Sequence, residues 1–134
     1  MEHKFKRQIE SLDEVFSFLH DFFSANGIDE SIIFTVDLVV EELFTNLVKY
    51  DSKNTNDISI CLRKNENKLI ISLIDFDAKP FDLTKTEEVD VGKPLENRKI
   101  GGLGIHLVKK MVDELNYEYL NRQSRITFTK ILEK

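Results

Sequence analysis

Glu42, Asn46 and Lys49 stand at spacings i, i+4 and i+7 within "EELFTNLVKY". At about 100° of helix per residue, the three fall within roughly 60° of one another and form one polar strip. A carboxylate, an amide oxygen and an ammonium aligned in this way could serve as a general base, a ligand for a hard cation such as magnesium, and a phosphate contact. A solvated helix face would show the same spacing, so the strip gains meaning only from what accompanies it.

Three of the five glycines, Gly101, Gly102 and Gly104, fall within four residues and lead straight into an apolar pattern of helical period, "GGLGIHLVKKMVDEL". A helix N-terminus presents unpaired N–H groups and the positive end of the helix dipole, and glycine lets a phosphate approach closely. The plain alternative is a flexible cap or a tight helix-to-sheet contact. No Lys-Ser or Lys-Thr follows to complete a P-loop, and no strand runs directly into the glycines as a dinucleotide fingerprint requires. What precedes them is "FDAKPFDLTKTEEVDVGKPLENRKI", a long charged stretch without sustained periodicity. Loops of that length inside a domain are commonly functional or mobile, and a lid with a glycine hinge would close over a triphosphate. At the start of this stretch, "LIDFDAKPFD" ends a predicted strand with acidic groups. One of them could accept the exocyclic amine of adenine, in a bond worth about 1.5–3 kcal/mol, although Asp and Pro also simply end strands.

The elements that must position these residues follow from periodicity. Residues 3–11 alternate loosely enough for an opening strand. Residues 11–27 read as a helix, with a capping-box spacing of Ser11 and Glu14, an apolar stripe through Leu12, Val15, Phe16, Leu19, Phe22 and Phe23, and Gly27 to end it. A second helix spans 31–50, with Ile32, Ile33, Val36, Val39, Val40, Leu43 and Leu47 on its apolar side. Residues 56–64 and 67–75 form a hairpin, the glycine-led helix buries Leu107, Val108, Met111, Val112 and Leu115, and 117–121 with 125–132 close the chain as a second hairpin. The order β-α-α-β-β-loop-α-β-β predicts an α+β two-layer sandwich, with a mixed, mostly antiparallel sheet and helices on one face.

Composition sets the outer bounds. With 134 residues, 41% apolar and 32% charged, the chain is expected to form one soluble globular domain over 1–134, with a core that needs no metal or disulfide. Cys61 is the only cysteine, and nothing resembles a signal peptide, which points to the cytoplasm. No apolar run approaches the roughly 20 residues of a membrane span. The net charge of −5 and the scattered basic residues argue against membrane or nucleic acid as a direct partner.

Taken in order, "EELFTNLVKY", "IDFDAKPFD" and "KPLENRKIGGLGIHLVKKMVDELNYEY" resemble the three ATP-binding boxes of the GHKL ATPase and kinase superfamily. Within it they look most like the anti-sigma factor serine/threonine-protein kinase family. The resemblance implies the Bergerat, or histidine-kinase-like ATPase, fold with ATP and Mg²⁺ between the helices and a lid at about 82–101. It implies Glu42 as general base, Asn46 as the Mg²⁺ ligand and Lys49 near the phosphates. Arg98 would belong to the lid, and Gly101, Gly102, Leu103 and Gly104 would wrap the phosphate chain. Thr127 would lie near the adenine. The family's D-x-G-x-P-F-D box is altered: counting back from Pro80 puts Phe76 at the aspartate and Ala78 at the glycine, whereas a one-residue bulge would bring in Asp75, or Asp77 could substitute. The implied partners are a small STAS-type anti-sigma-factor antagonist, phosphorylated on serine, a sigma factor or related protein, and a second copy of the chain joined through the first strand and helix. The altered box also motivates a second reading, a binding module of the same fold with weak nucleotide use. A histidine kinase fits worse, because neither His3 nor His20 sits in a two-helix pattern.

Overall fold

Why the sheet has one covered face is legible in the alternation of its strands. In the computed structural model, which describes residues 1–50, 55–76 and 102–132, five strands form one sheet: β1 (Glu2–Phe5), β2 (Ile58–Asn65), β3 (Lys68–Phe76), β4 (Glu114–Leu120) and β5 (Gln123–Ile131). Their order is β1-β2-β3-β5-β4, and all four pairings among the described residues are antiparallel. The mixed sheet expected from the sequence is therefore purely antiparallel there. Ile58, Ile60 and Leu62 of β2, Leu69, Ile71 and Leu73 of β3, and Ile126 and Phe128 of β5 all belong to the buried core. Because side chains alternate faces with a period of two, these residues define a single apolar face.

The helices α1 (Leu12–Ala25), α2 (Glu30–Tyr50) and α3 (Gly102–Met111) cover that face. Val15, Leu19, Phe22 and Phe23 of α1 and Val36, Val39, Val40, Leu43 and Phe44 of α2 are buried against it. Phe44 is fully buried although it lies beside the apolar stripe expected for α2, so the helix buries a broader face than that stripe. Gly27 ends α1 as expected, with φ of +61°, and the Ile28 N–H donates to Phe23 O at 3.1 Å in the manner of a left-handed C-terminal cap. The start of α1 departs from expectation. Ser11 is itself helical (φ −69°, ψ −13°) at the end of a 3₁₀ turn, Ile9–Ser11, and its hydroxyl donates to Lys6 O at 2.8 Å, so no capping box forms. Asp13 and Glu14 still place negative charge at the positive helix end.

The glycine-led helix is tied to the sheet at its far end. Lys130 Nζ on β5 donates to Met111 O at 3.0 Å, the Asp113 N–H donates to Thr129 O at 2.9 Å, and the Asp113 carboxylate accepts from the Ile131 N–H at 2.7 Å. Val108 is buried, with Met111 and Val112 packed beside it, but Leu107 is half exposed and Leu115 belongs to β4. The expected buried side of this helix is thus narrower, because the chain turns into a strand after Met111.

Truncating Phe44 to Ala is expected to destabilise the protein by about 3–5 kcal/mol, read as a lowered urea midpoint with an unchanged slope.

Candidate functional site

Glu42, Asn46 and Lys49 lie on α2 as one strip, graded from half-buried through buried to exposed. Asn46 retains only 3% of its surface, which removes the reading of the strip as a simple solvated face. Its Nδ2 donates to the Glu42 main-chain oxygen at 2.6 Å and also to the Glu42 carboxylate. Both partners are pure acceptors, so flipping the amide would set its oxygen against two others; the chemistry fixes the orientation. Asn46 Oδ1 is thereby the acceptor end directed away from Glu42. A single neutral oxygen fits Mg²⁺, which keeps several waters and is completed by phosphate oxygens rather than by an all-protein cage. Among the described residues no cluster of three His, Cys, Asp or Glu side chains could hold a metal.

Register places Asp75 and Phe76 of the acidic box on opposite faces of the sheet. β3 pairs without interruption through Asp75↔Ser124 and Phe76↔Gln123 on one side and through Ile58↔Asp75 on the other. Asp75 therefore continues the face of Leu69, Ile71 and Leu73 under the helices, and it is 4% exposed. Phe76 points to the opposite face, where Lys4 Nζ stands 5.3 Å from its ring centre. Asp77 and Ala78 lie outside the described residues, as do Arg98, Gly101 and the expected lid. Gly102, Leu103 and Gly104 form the first residues of α3, where helix N–H groups lack intrahelical partners.

Thr127 is not brought to this site. It pairs across from Ser72, and the two hydroxyls hydrogen-bond at 2.8 Å on the face of the sheet away from the helices. There they line a cavity of about 410 Å³ with Cys61, Arg63, Asn116 and Arg125. The expectation of Thr127 beside a base on the helix side conflicts with this parity. Ser124, directly opposite Asp75 and buried, is the last-strand hydroxyl on the helix-side face.

Sequence reasoning also missed Arg7, just beyond β1. Its side chain is 3% exposed and joins three segments: Nη2 pairs with the Asp75 carboxylate, Nη1 donates to Leu47 O at 2.9 Å, and Nε donates to Asn56 O at 3.1 Å. Leu47 follows Asn46, so this guanidinium links the acidic end of β3 to the turn of α2 that carries the metal-ligand candidate. The only sequence signal was a cation in a segment otherwise read as strand.

An antiparallel sheet roofed by helices, with half-buried Glu42 and buried Asn46 on the long helix and a glycine-led helix beside it, is the arrangement expected of an ATPase-type domain. The family model described as the histidine kinase-like ATPase domain matches residues 5–130, and the chain belongs to that family. It is similar to the serine-protein kinase RsbW of Listeria monocytogenes serovar 1/2a (strain ATCC BAA-679 / EGD-e) and to that of Listeria innocua serovar 6a, at 32% and 31% identity over 102 residues. The matched region covers 72% of this chain and 64% of each relative, so the chain spans just under two thirds of their length. Among solved structures, the RsbU and RsbW domains of Rv1364c from Mycobacterium tuberculosis superpose with a TM-score of 0.68 at 17% identity, over 100% of this chain and 32% of that one. The SiaB–SiaC complex from Pseudomonas aeruginosa gives 0.61 at 11% identity, over 98% and 89%. At these identities the structural likeness is one of fold.

Replacing Arg7 by Met leaves the Asp75 charge without its guanidinium partner and is expected to cost about 3–5 kcal/mol in urea unfolding. The double variant Arg7→Met/Asp75→Leu should cost less than the sum of the two single changes.

Proposed function

We propose that this chain is an ATP- and Mg²⁺-dependent protein serine/threonine kinase of the anti-sigma type. The observation that carries this reading is the buried Asn46, its amide orientation fixed by Glu42, on the same side of the sheet as Asp75. The family membership and the similarity to RsbW kinases support it.

In this reading Asn46 Oδ1 is the protein ligand of Mg²⁺, and the bound ion would neutralise charge on the phosphate oxygens. Glu42, half-buried and held by the Asn46 amide, accepts the proton of the serine hydroxyl as that oxygen bonds to the γ-phosphorus and the bond to the β-bridging oxygen breaks. Lys49 stands one turn on, with its charge toward the phosphates. The backbone N–H groups of Gly102, Leu103 and Gly104 at the start of α3 supply fixed positive dipoles, with Gly101 and Arg98 closing the site as the resemblance implies. Asp75 accepts the adenine amine, with Ser124 beside it and with Asp77 and Ala78 following in the same box. Most of the rate then comes from positioning and electrostatics, as in phosphoryl transfer generally.

The substrate is a serine on a small STAS-type antagonist, and the second partner is a sigma factor or related protein. A homodimer acting in the cytoplasm completes the proposal. Among the described residues no helix is long and apolar enough to cross a membrane. One observation favours the alternative of a regulatory binder with little catalysis: counted back from Pro80, Phe76 stands where the family's box has its aspartate.

Titrating the protein with ATP in a calorimeter, with and without Mg²⁺, tests the first step. Binding should require the metal, and Asn46→Ala should weaken it at least about tenfold, or about 1.4 kcal/mol; equal affinity in the variant would remove Asn46 as ligand. Transfer of labelled phosphate to a co-purified STAS-type protein tests the second. Glu42→Gln should slow it about 10²- to 10⁴-fold, whereas an absence of transfer by the unaltered protein to every such partner would favour the binder.

A further inference from the structure

Among the described residues, the buried Arg7–Asp75 pair joins two ends of the proposed site. The Arg7 side chain keeps 3% of its surface and that of Asp75 keeps 6%, so neither charge is balanced by bulk water. A guanidinium cannot lose its proton in a protein, and it presents its donors in a rigid fork. Here the fork is spent on Asp75, on Leu47 O and on Asn56 O, which hold it in a single orientation. The carboxylate it faces sits on the helix-side face of β3, opposite Ser124 and at the base end of the site.

An ionised carboxylate is acceptor-only, with room for more than one donor. Adenine carries an amine at C6 and can donate to it; guanine and hypoxanthine carry a carbonyl oxygen there and their nearest donor one atom away at N1, so a carboxylate held in one place opposite C6 would meet an acceptor. A protonated carboxyl would lose this distinction, because its O–H donates to a carbonyl while its other oxygen accepts from an amine.

We propose that Arg7 is a positioning residue that sets base specificity: it holds Asp75 as an acceptor-only anion, so the site takes a purine with a C6 amine and refuses one with a C6 carbonyl. This rests on the nucleotide-binding reading given above. It adds that a residue outside all three sequence boxes, on the segment after the first strand, decides which base enters.

The test compares ATP with ITP, which differ at C6, by calorimetric titration of the full chain in the presence of Mg²⁺. The unaltered protein is expected to prefer ATP by about tenfold or more, the scale of one hydrogen bond to a buried charge. Arg7→Lys keeps a cation beside Asp75 and should retain the preference even if affinity and stability fall. Arg7→Met removes the cation and should bring the two affinities within about threefold, a ratio that a purely structural loss would leave unchanged. A folded Arg7→Met protein with the full ATP preference would overturn the proposal. If that variant does not fold, Arg7→Lys and the unaltered protein still decide: equal binding of ATP and ITP by the unaltered protein, or loss of preference in a folded Arg7→Lys, would also overturn it. An unaltered protein that binds neither nucleotide would overturn the nucleotide-binding reading itself, and this proposal with it.

Discussion

The two-residue period of β3 is the constraint on which the rest of the molecule depends. This strand is central, paired on both sides, and its Leu69, Ile71 and Leu73 lie in the buried core with the helices. The next residue on that face is Asp75, so a carboxylate is carried into the layer between sheet and helices by the same alternation that builds the core. Such a charge is tolerated only with a partner, and Arg7 supplies it from the segment that leaves the edge strand. A slip of one residue would exchange Asp75 for Phe76 and turn the apolar face toward solvent.

The long helix meets this strand with a broad buried face. Phe44 and Asn46 are buried along with the expected aliphatic stripe, so the polar strip of Glu42, Asn46 and Lys49 straddles the boundary between core and surface. At that boundary an asparagine cannot rely on water for its hydrogen bonds. Glu42 takes both donor contacts of Nδ2, which converts a rotatable amide into one with a defined acceptor end. The position of the helix thus follows from apolar packing, and the chemistry of its strip follows from where that packing stops.

What was legible in the sequence is what local periodicity controls. The order of elements, both hairpins, the end of α1 at Gly27 and the placing of Glu42 and Asn46 on one helix strip all follow from spacing, and the structure reproduces them. What was not legible depends on register or on distant contacts. Thr127 has the residue type for a base contact, but only the pairing with Ser72 reveals that it faces away and that Ser124 faces in. Ser11 has the spacing of a capping box, yet its hydroxyl is taken by Lys6 O because a 3₁₀ turn already precedes the helix. Arg7 lies 68 positions from Asp75 along the chain, and no local pattern announces such a pair.

Stability alone does not account for that pair. Replacing a buried ion pair by apolar side chains of similar volume is often neutral or stabilising by about 1–4 kcal/mol, because the cost of removing two charges from water cancels much of their attraction. The surroundings here would accept such a replacement: Ile58 is Asp75's neighbour across β2, and Leu73 precedes it on the same face. An aspartate in that position forces the fold to supply a buried arginine, two further carbonyl acceptors for it and a defined path for the chain after β1. Such an arrangement is expected where the charge has a use that an isoleucine could not serve. Its location, opposite Ser124 and tied to the residue after Asn46, agrees with the use proposed for it above.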